Sequence, residues 1–196
     1  MLPGMAMRTT SATASRILDV AERLVQTSGF NGFSYADISA ELGITKASLH
    51  HHFATKADLG RALIVRYSES FSAALEAVDK RGGGASAKLE RYVRLYEEVL
   101  KGERLCLCGM LAAEYRTLPQ PLQDEIRRFF DSNETWLANV VDEGRRAKIF
   151  HSRGTPREVA VMLLSALEGA MLVARPYSDM KRFASSARHV LAALTK

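Results

Sequence analysis

The sequence predicts an all-α chain of about nine helices, built as a three-helix N-terminal head followed by a larger helical core. Three observations carry that reading. Apolar residues recur at helical spacing along most of the 196 residues. Glycine and proline are scarce, at 13 and 5, and most fall between the periodic segments. Capping signals open several segments, each a Ser or Thr with an acidic residue three positions on.

In chain order, the first dozen residues read as an arm with Arg8 as its one charge. A helix follows from about Thr13 to Ser28, with Ile17, Leu18, Ala21, Leu24 and Val25 on one face. Gly29 to Phe33 makes a turn whose aromatics should pack beneath what comes next. The stretch from Ser34 to Lys56 organises the chain. Ser34 with Asp37 forms a capping box, and Phe33 and Ile38 are placed to staple it. Thr45 caps Lys46-Ala47-Ser48 with Ile44 and Leu49 as staple, and Thr55 with Asp58 repeats the pattern. Gly43 lies where a sharp turn between helices needs a positive φ. Two short helices around such a turn make a helix-turn-helix.

That shape suits DNA for a geometric reason. A helix fits the major groove, and its N-terminal residues reach base edges while its dipole favours phosphate. The expected contacts are Ser34, Tyr35, Thr45, Lys46, Ala47, Ser48, His50, His51, His52 and Lys56. Lys46 can reach a guanine edge or a phosphate, Ala47 a thymine methyl, and Lys56 the backbone.

The remaining segments build a core. A helix from Lys56 to about Lys80 would be roughly 35 Å long, enough to link the head to a second core. Gly82-Gly83-Gly84 breaks it, and with no Gly-Lys-Ser/Thr following, this is a plain loop and not a phosphate cradle. Helices are expected over Ser86–Lys101, about Leu107–Arg116 and Pro121 to about Lys148. Thr155-Pro156-Arg157-Glu158 is a strong helix start, that helix ends near Ala174, and Ser178 should cap a last helix to about Leu194. Leu163, Leu167, Ala170, Ala174, Phe183, Ala187 and Val190 mix large and small apolar residues. They fit a homodimer interface, the plainer alternative being that they face the subunit's own core.

Composition excludes several classes. The net charge of +5 suits an anionic partner, but the first 56 residues are nearly neutral, so the case for DNA rests on the motif. Met1 to Thr13 has no apolar run of leader length. Val159 to Ala174, interrupted by Ser165 and Glu168, falls short of the roughly 18 residues of a membrane span. Two close cysteines imply no disulfide framework, and a cytoplasmic protein is expected. No metal or other cofactor is expected: Cys106 and Cys108 lack further ligands at zinc spacing, and His50-His51-His52 point about 100° apart. Enzymatic motifs are absent; a thiol peroxidase using Cys106 is the remote alternative.

The residues Gly43-Ile44-Thr45-Lys46-Ala47-Ser48-Leu49-His50-His51-His52-Phe53, followed by Thr55-Lys56 and Leu59, resemble the signature of the TetR/AcrR family of transcriptional regulators. The resemblance is dense from Ile17 to Leu63. Where the family usually has a phosphate-contacting tyrosine this chain has His50, whose charge depends on pH. The resemblance implies a DNA-binding domain over residues 1–55 and an effector-binding and dimerisation domain over 56–196. It also implies double-stranded operator DNA as partner and a homodimer through the last two helices. Such a dimer reads half-sites about 34–36 Å apart. The function implied is a repressor released by a small-molecule effector. Tyr92, Tyr96, Cys106, Met110, Glu114, Phe129, Trp136, Met162, Glu168 and Met171 are the residues that could line the effector pocket, with Glu168 pairing with Arg175. Effector binding would then shift the long Lys56–Lys80 helix.

The run from Cys106 to Glu114 also resembles the electrophile-responsive NemR subgroup, in which the cysteine matching Cys106 is the sensor. Arg104 and the following helix N-terminus would lower such a thiol's pKa. Cysteine is also a common core residue, and a merely buried thiol comes ahead of a redox or electrophile sensor; that sensor is one alternative, and a small-molecule carrier with a vestigial head another.

Overall fold

The computed structural model describes residues 11–195, and the arm carrying Arg8 lies outside them. Among the described residues there are nine α-helices and no strand. They are α1 (Ala12–Ser28), α2 (Tyr35–Leu42), α3 (Lys46–His52), α4 (Lys56–Lys80), α5 (Gly84–Lys101), α6 (Leu107–Ala113), α7 (Gln120–Arg146), α8 (Pro156–Ala174) and α9 (Met180–Ala192). Single 3-10 turns follow α6 (Tyr115–Thr117) and α8 (Arg175–Tyr177).

Local chemistry sets most of the boundaries. Capping boxes close at Ser34–Asp37, Thr55–Asp58 and Thr155–Glu158. Gly43 adopts φ 64° and ends α2. Two starts differ from expectation. Gly82, Gly83 and Gly84 all take positive φ, of 62°, 92° and 74°, so the chain has already turned when it reaches Gly84 and α5 begins there, not at Ser86. Ser178 does not cap α9: it sits in the left-handed region at φ 47°, and the Asp179 carboxylate accepts from Lys181 N instead.

α1, α2 and α3 form the head around Ile17, Ala21, Val25, Ile38, Leu49 and Leu59, all fully buried. α4 runs from that head into a bundle in which α8 lies between α7 and α9. An aromatic cluster fills the bundle's upper half: Phe71 lies 5.3 to 6.3 Å from the rings of Tyr67, Tyr92, Tyr96 and Phe129.

α8 and the turn after it, Pro156–Tyr177, are long and apolar enough to cross a membrane by length and composition, contrary to the sequence expectation. The helix packs on α7 and α9 through Leu163, Leu164, Leu167, Met171 and Ala174, as a core helix does. That packing corrects the interface reading. Leu163, Leu167, Ala174, Phe183 and Ala187 are buried within their own subunit, because the turn between α8 and α9 folds their apolar stripes together. Ala170 and Val190 keep partial exposure. The outward face of α8 is instead Val161, Met162, Leu172 and Val173, 40 to 61 % exposed, with Ser165 and Gly169 between them.

Candidate nucleic-acid interface and effector cavity

α3 is short, and one residue anchors it. Leu49 is its only fully buried side chain, so the other faces are free. Lys46, Ala47, His50 and His51 are exposed, and Ser48 and His52 partly so. Thr45 and Ser34 are exposed too, but their hydroxyls cap α3 and α2. Lys46 thus stands at the open N-terminal end of α3, beside backbone N–H groups that suit phosphate.

Two expected DNA contacts are committed elsewhere. The Tyr35 hydroxyl donates to Phe53 O at 2.9 Å, and burial, with Asp58 nearby, pushes it up to about 12. It stays a donor and clamps the end of α3. The Lys56 ammonium donates to Phe30 O and Phe33 O and lies 4.7 and 4.2 Å from the centres of those rings. Burial pulls its pKa down. Lys56 therefore ties the turn between α1 and α2 to the start of α4, and its charge faces that turn. His50 approaches Ala54 O through Nδ1 at 3.0 Å. Neutral imidazole in that geometry carries its proton on Nδ1 and turns Nε2 outward as an acceptor.

The head is fastened to the core at both ends of α6. Leu105 N donates to Gln26 O at 3.1 Å. At the other end, Glu114 accepts from Phe30 N at 2.6 Å and from Asn31 N at 3.2 Å. Arg175 adds a third link by donating to Thr27 O. Glu114 is thus a strut to the head and does not face a cavity. Its partners lie 83 and 84 positions away, beyond what local pattern reveals.

The expected pocket residues divide between two recesses. Cys106, Met110, Glu168 and Met171 line a cavity of about 230 Å³ between α6 and α8, joined by Leu105, Phe130 and Leu172. Phe129 and Trp136 line a groove of about 430 Å³ between α4 and α7. Tyr92 and Tyr96 line neither and lie buried between them. Met162 belongs to neither recess; it projects outward on α8. Sequence reasoning missed Asn133, a buried amide linking Tyr92 to the backbone of α7. Its signal was a polar residue on the stripe of Ile126, Phe129 and Leu137.

Glu168 does not pair with Arg175. Its Oε1 lies 3.3 Å from the Tyr96 hydroxyl and its carboxyl is hydrogen-bonded to the Cys106 thiol, while burial pushes its pKa up. Since the folded carboxyl holds its proton more tightly than the unfolded one, its contribution to stability is fully present at low pH. That contribution is lost as pH rises from about the ordinary 4.5 through the raised value. Glu168→Gln should flatten that decline in a series of thermal unfolding curves; an unchanged slope would contradict it. Burial, and then Glu168, likewise push the Cys106 thiol well up. Arg104 does not offset this, so the thiol stays protonated and is a poor nucleophile, which fits the buried core thiol and not the sensor alternative.

Comparison with known proteins fits this geometry. Residues 17–63 match the family described as bacterial regulatory proteins, tetR family. Residues 85–190, more than half the chain, match a tetracyclin repressor-like C-terminal domain. A TetR-family transcriptional regulator from Agrobacterium tumefaciens superposes with a TM-score of 0.91 at 33 % identity, over 94 % of this chain and 98 % of that one. Among curated relatives, the transcriptional regulator AcuR of Cereibacter sphaeroides is 26 % identical across 75 % of this chain and 69 % of its own. The HTH-type transcriptional repressor NemR of Escherichia coli is 22 % identical across 95 % of this chain and 96 % of its own. With the exposed reading helix, both matched segments and a like-folded relative at one-third identity, this chain belongs to the TetR family of bacterial regulatory proteins and is a DNA-binding transcriptional regulator.

Proposed function

We propose that this regulator is a dimeric repressor, freed from its operator when a small molecule fills the cavity between α6 and α8. A reading head up to residue 55 and an effector-binding and dimerisation unit from residue 56 are the working parts. One observation supports the switch above all: α6 both walls the cavity, through Cys106, Gly109 and Met110, and holds the head at its two ends. A ligand that moves α6 therefore changes contacts to Gln26, Phe30 and Asn31, and only such a difference between bound and free states can alter operator affinity. The start of α4 would follow, because Gly60 packs against both Phe30 and Leu122 with no room for a side chain.

The outward stripe of α8 supplies the twin contact in this reading. Val161, Met162, Leu172 and Val173 form an apolar patch, and a Cβ on Gly169 would meet open space, so a second helix can approach closely there. Sensing through Cys106 is the weaker reading, since its thiol is buried and held protonated.

A compound screen on operator-bound protein tests the switch, with Glu114→Ala as the uncoupled control. Losing this carboxylate's hydrogen bonds should cost about 1.5–3 kcal/mol of stability in urea unfolding. The effector's change in operator affinity, typically roughly 5–150-fold, should shrink toward none in the variant. A full response in Glu114→Ala would place the coupling elsewhere.

A further inference from the structure

A row of hydrogen bonds, buried except at its Glu168 end, joins the two recesses. Asn133 Nδ2 donates to Phe129 O at 2.8 Å, which fixes its Oδ1 as the acceptor for the Tyr92 hydroxyl at 3.1 Å. The Tyr92 and Tyr96 oxygens are 3.2 Å apart, and the Tyr96 hydroxyl is 3.3 Å from Glu168 Oε1. Tyr96 has one proton and two neighbours. If Glu168 is ionised, Tyr96 donates to it, Tyr92 donates to Asn133, and no proton lies between the two tyrosines. If Glu168 is protonated, the row fills in one direction from Glu168 through Tyr96 and Tyr92 to Asn133. The row is complete only with the additional proton.

The cavity beside Glu168 is otherwise apolar. Leu105, Met110, Phe130, Met171 and Leu172 line it, and Glu168 is the one charged residue among its lining. Arg175 is held by Thr27 O and Met110 Sδ. The groups that influence the carboxyl are the Cys106 thiol and Tyr96 hydroxyl, with no cation contributing. Of its exposed lining residues, Ala112 and Ala113 belong to α6, while Gly169 and Leu172 lie on the face proposed to meet a twin, so dimerisation would deepen the enclosure on that side.

We infer that this cavity takes a small hydrophobic amine, whose ammonium group pairs with Glu168 and displaces its proton to solvent. The inference rests on the effector reading of the cavity and names the ligand's class. Size follows from the volume: a cavity of ~150 Å³ accepts benzene, so about 230 Å³ accepts about nine non-hydrogen atoms. Charge follows from the site. An anion would meet a buried acid with no counter-charge. A neutral acceptor would have to take the proton that the row uses. A cation alone completes the ionised site, where an unpaired charge would be costly. Burial already raises the Glu168 pKa, in keeping with a carboxyl that holds its proton until an amine binds. Once that proton leaves, the Tyr96 hydroxyl turns from Tyr92 to Glu168. Trp136, the only tryptophan, stacks on Tyr92 at 5.5 Å and reports the change.

The test uses the full-length protein without DNA, with 2-phenylethylamine and its neutral counterpart 2-phenylethanol as probes. Calorimetry in buffers of different ionisation enthalpy should show the amine binding with release of up to one proton, and Trp136 emission should shift. Glu168→Gln should fold at least as stably, since its amide can donate to Tyr96 as the protonated acid does. The variant should bind the amine at least about tenfold more weakly, the loss of one charge-assisted hydrogen bond, and the alcohol as before. Equal binding of both probes, an amine affinity unchanged in Glu168→Gln, or no amine binding would each overturn the inference. Operator release is measured separately. Glu168-dependent amine binding that leaves operator affinity unchanged would sustain the ligand class and sink the effector reading. A non-basic compound that fills the cavity and releases DNA independently of Glu168 would do the reverse.

Discussion

Replacing Leu172 and Val161 together with Asp should convert the proposed dimer to monomers and weaken operator binding by about 10²–10⁴-fold, the range that linked half-site binding typically adds. Both side chains are exposed, at 61 and 40 %, so the substitutions add charge to an apolar face without opening the subunit's core. Two aspartates facing their twins across a two-fold axis would be desolvated and would repel. Sedimentation at micromolar concentration reads the mass, and circular dichroism checks that helix content persists. A variant that remained dimeric would move the interface off this face of α8.

Phe183→Ala should destabilise every chain at every concentration, by about 3–5 kcal/mol. Phe183 is fully buried between α9 and its neighbours within one subunit. Truncation therefore leaves a void in the core and does not thin an intersubunit contact. The distinction is measurable. Unfolding of the wild-type dimer should shift with protein concentration, whereas the deficit caused by Phe183→Ala should persist in the monomeric Val161→Asp/Leu172→Asp background. A deficit that vanished there would return Phe183 to the interface, where its apolar spacing alone had placed it.

Leu172 and Phe183 mark where sequence stops being informative. Capping boxes at Ser34, Thr55 and Thr155 are legible because both partners lie within one turn, and the structure closes all three. The turn at Gly43 is local in the same way. α8 is different: apolar residues occupy most of its circumference, so periodicity cannot say which side meets α7 and α9 and which faces outward. Leu163 and Leu172 look alike in sequence and differ in the structure from buried to mostly exposed.

Long-range polar partners are hidden for a related reason. Lys56 reads as a phosphate contact and Glu114 as a pocket anchor, because a charged side chain with no local partner suggests a ligand. Both instead satisfy backbone groups of the turn at Phe30, Lys56 its carbonyl and Glu114 its N–H. Glu168 is the converse case. Its interruption of an apolar run marked it correctly as unusual, but its partners, Tyr96 and Cys106, come from two other parts of the chain.

The most direct test of sequence-specific, dimeric DNA binding is selection of genomic DNA fragments by the purified protein, followed by titration of the selected site across a range of salt. Lys46→Ala, at an exposed position at the start of α3, is titrated in parallel. The expected result is a preferred site with two half-sites about 34–36 Å apart, bound by one dimer. Lys46→Ala should stay dimeric and bind that site about 10–100-fold more weakly, the worth of one lost base contact. Enrichment of no sequence, with salt-sensitive binding that is the same for wild type and Lys46→Ala, would contradict sequence-specific binding.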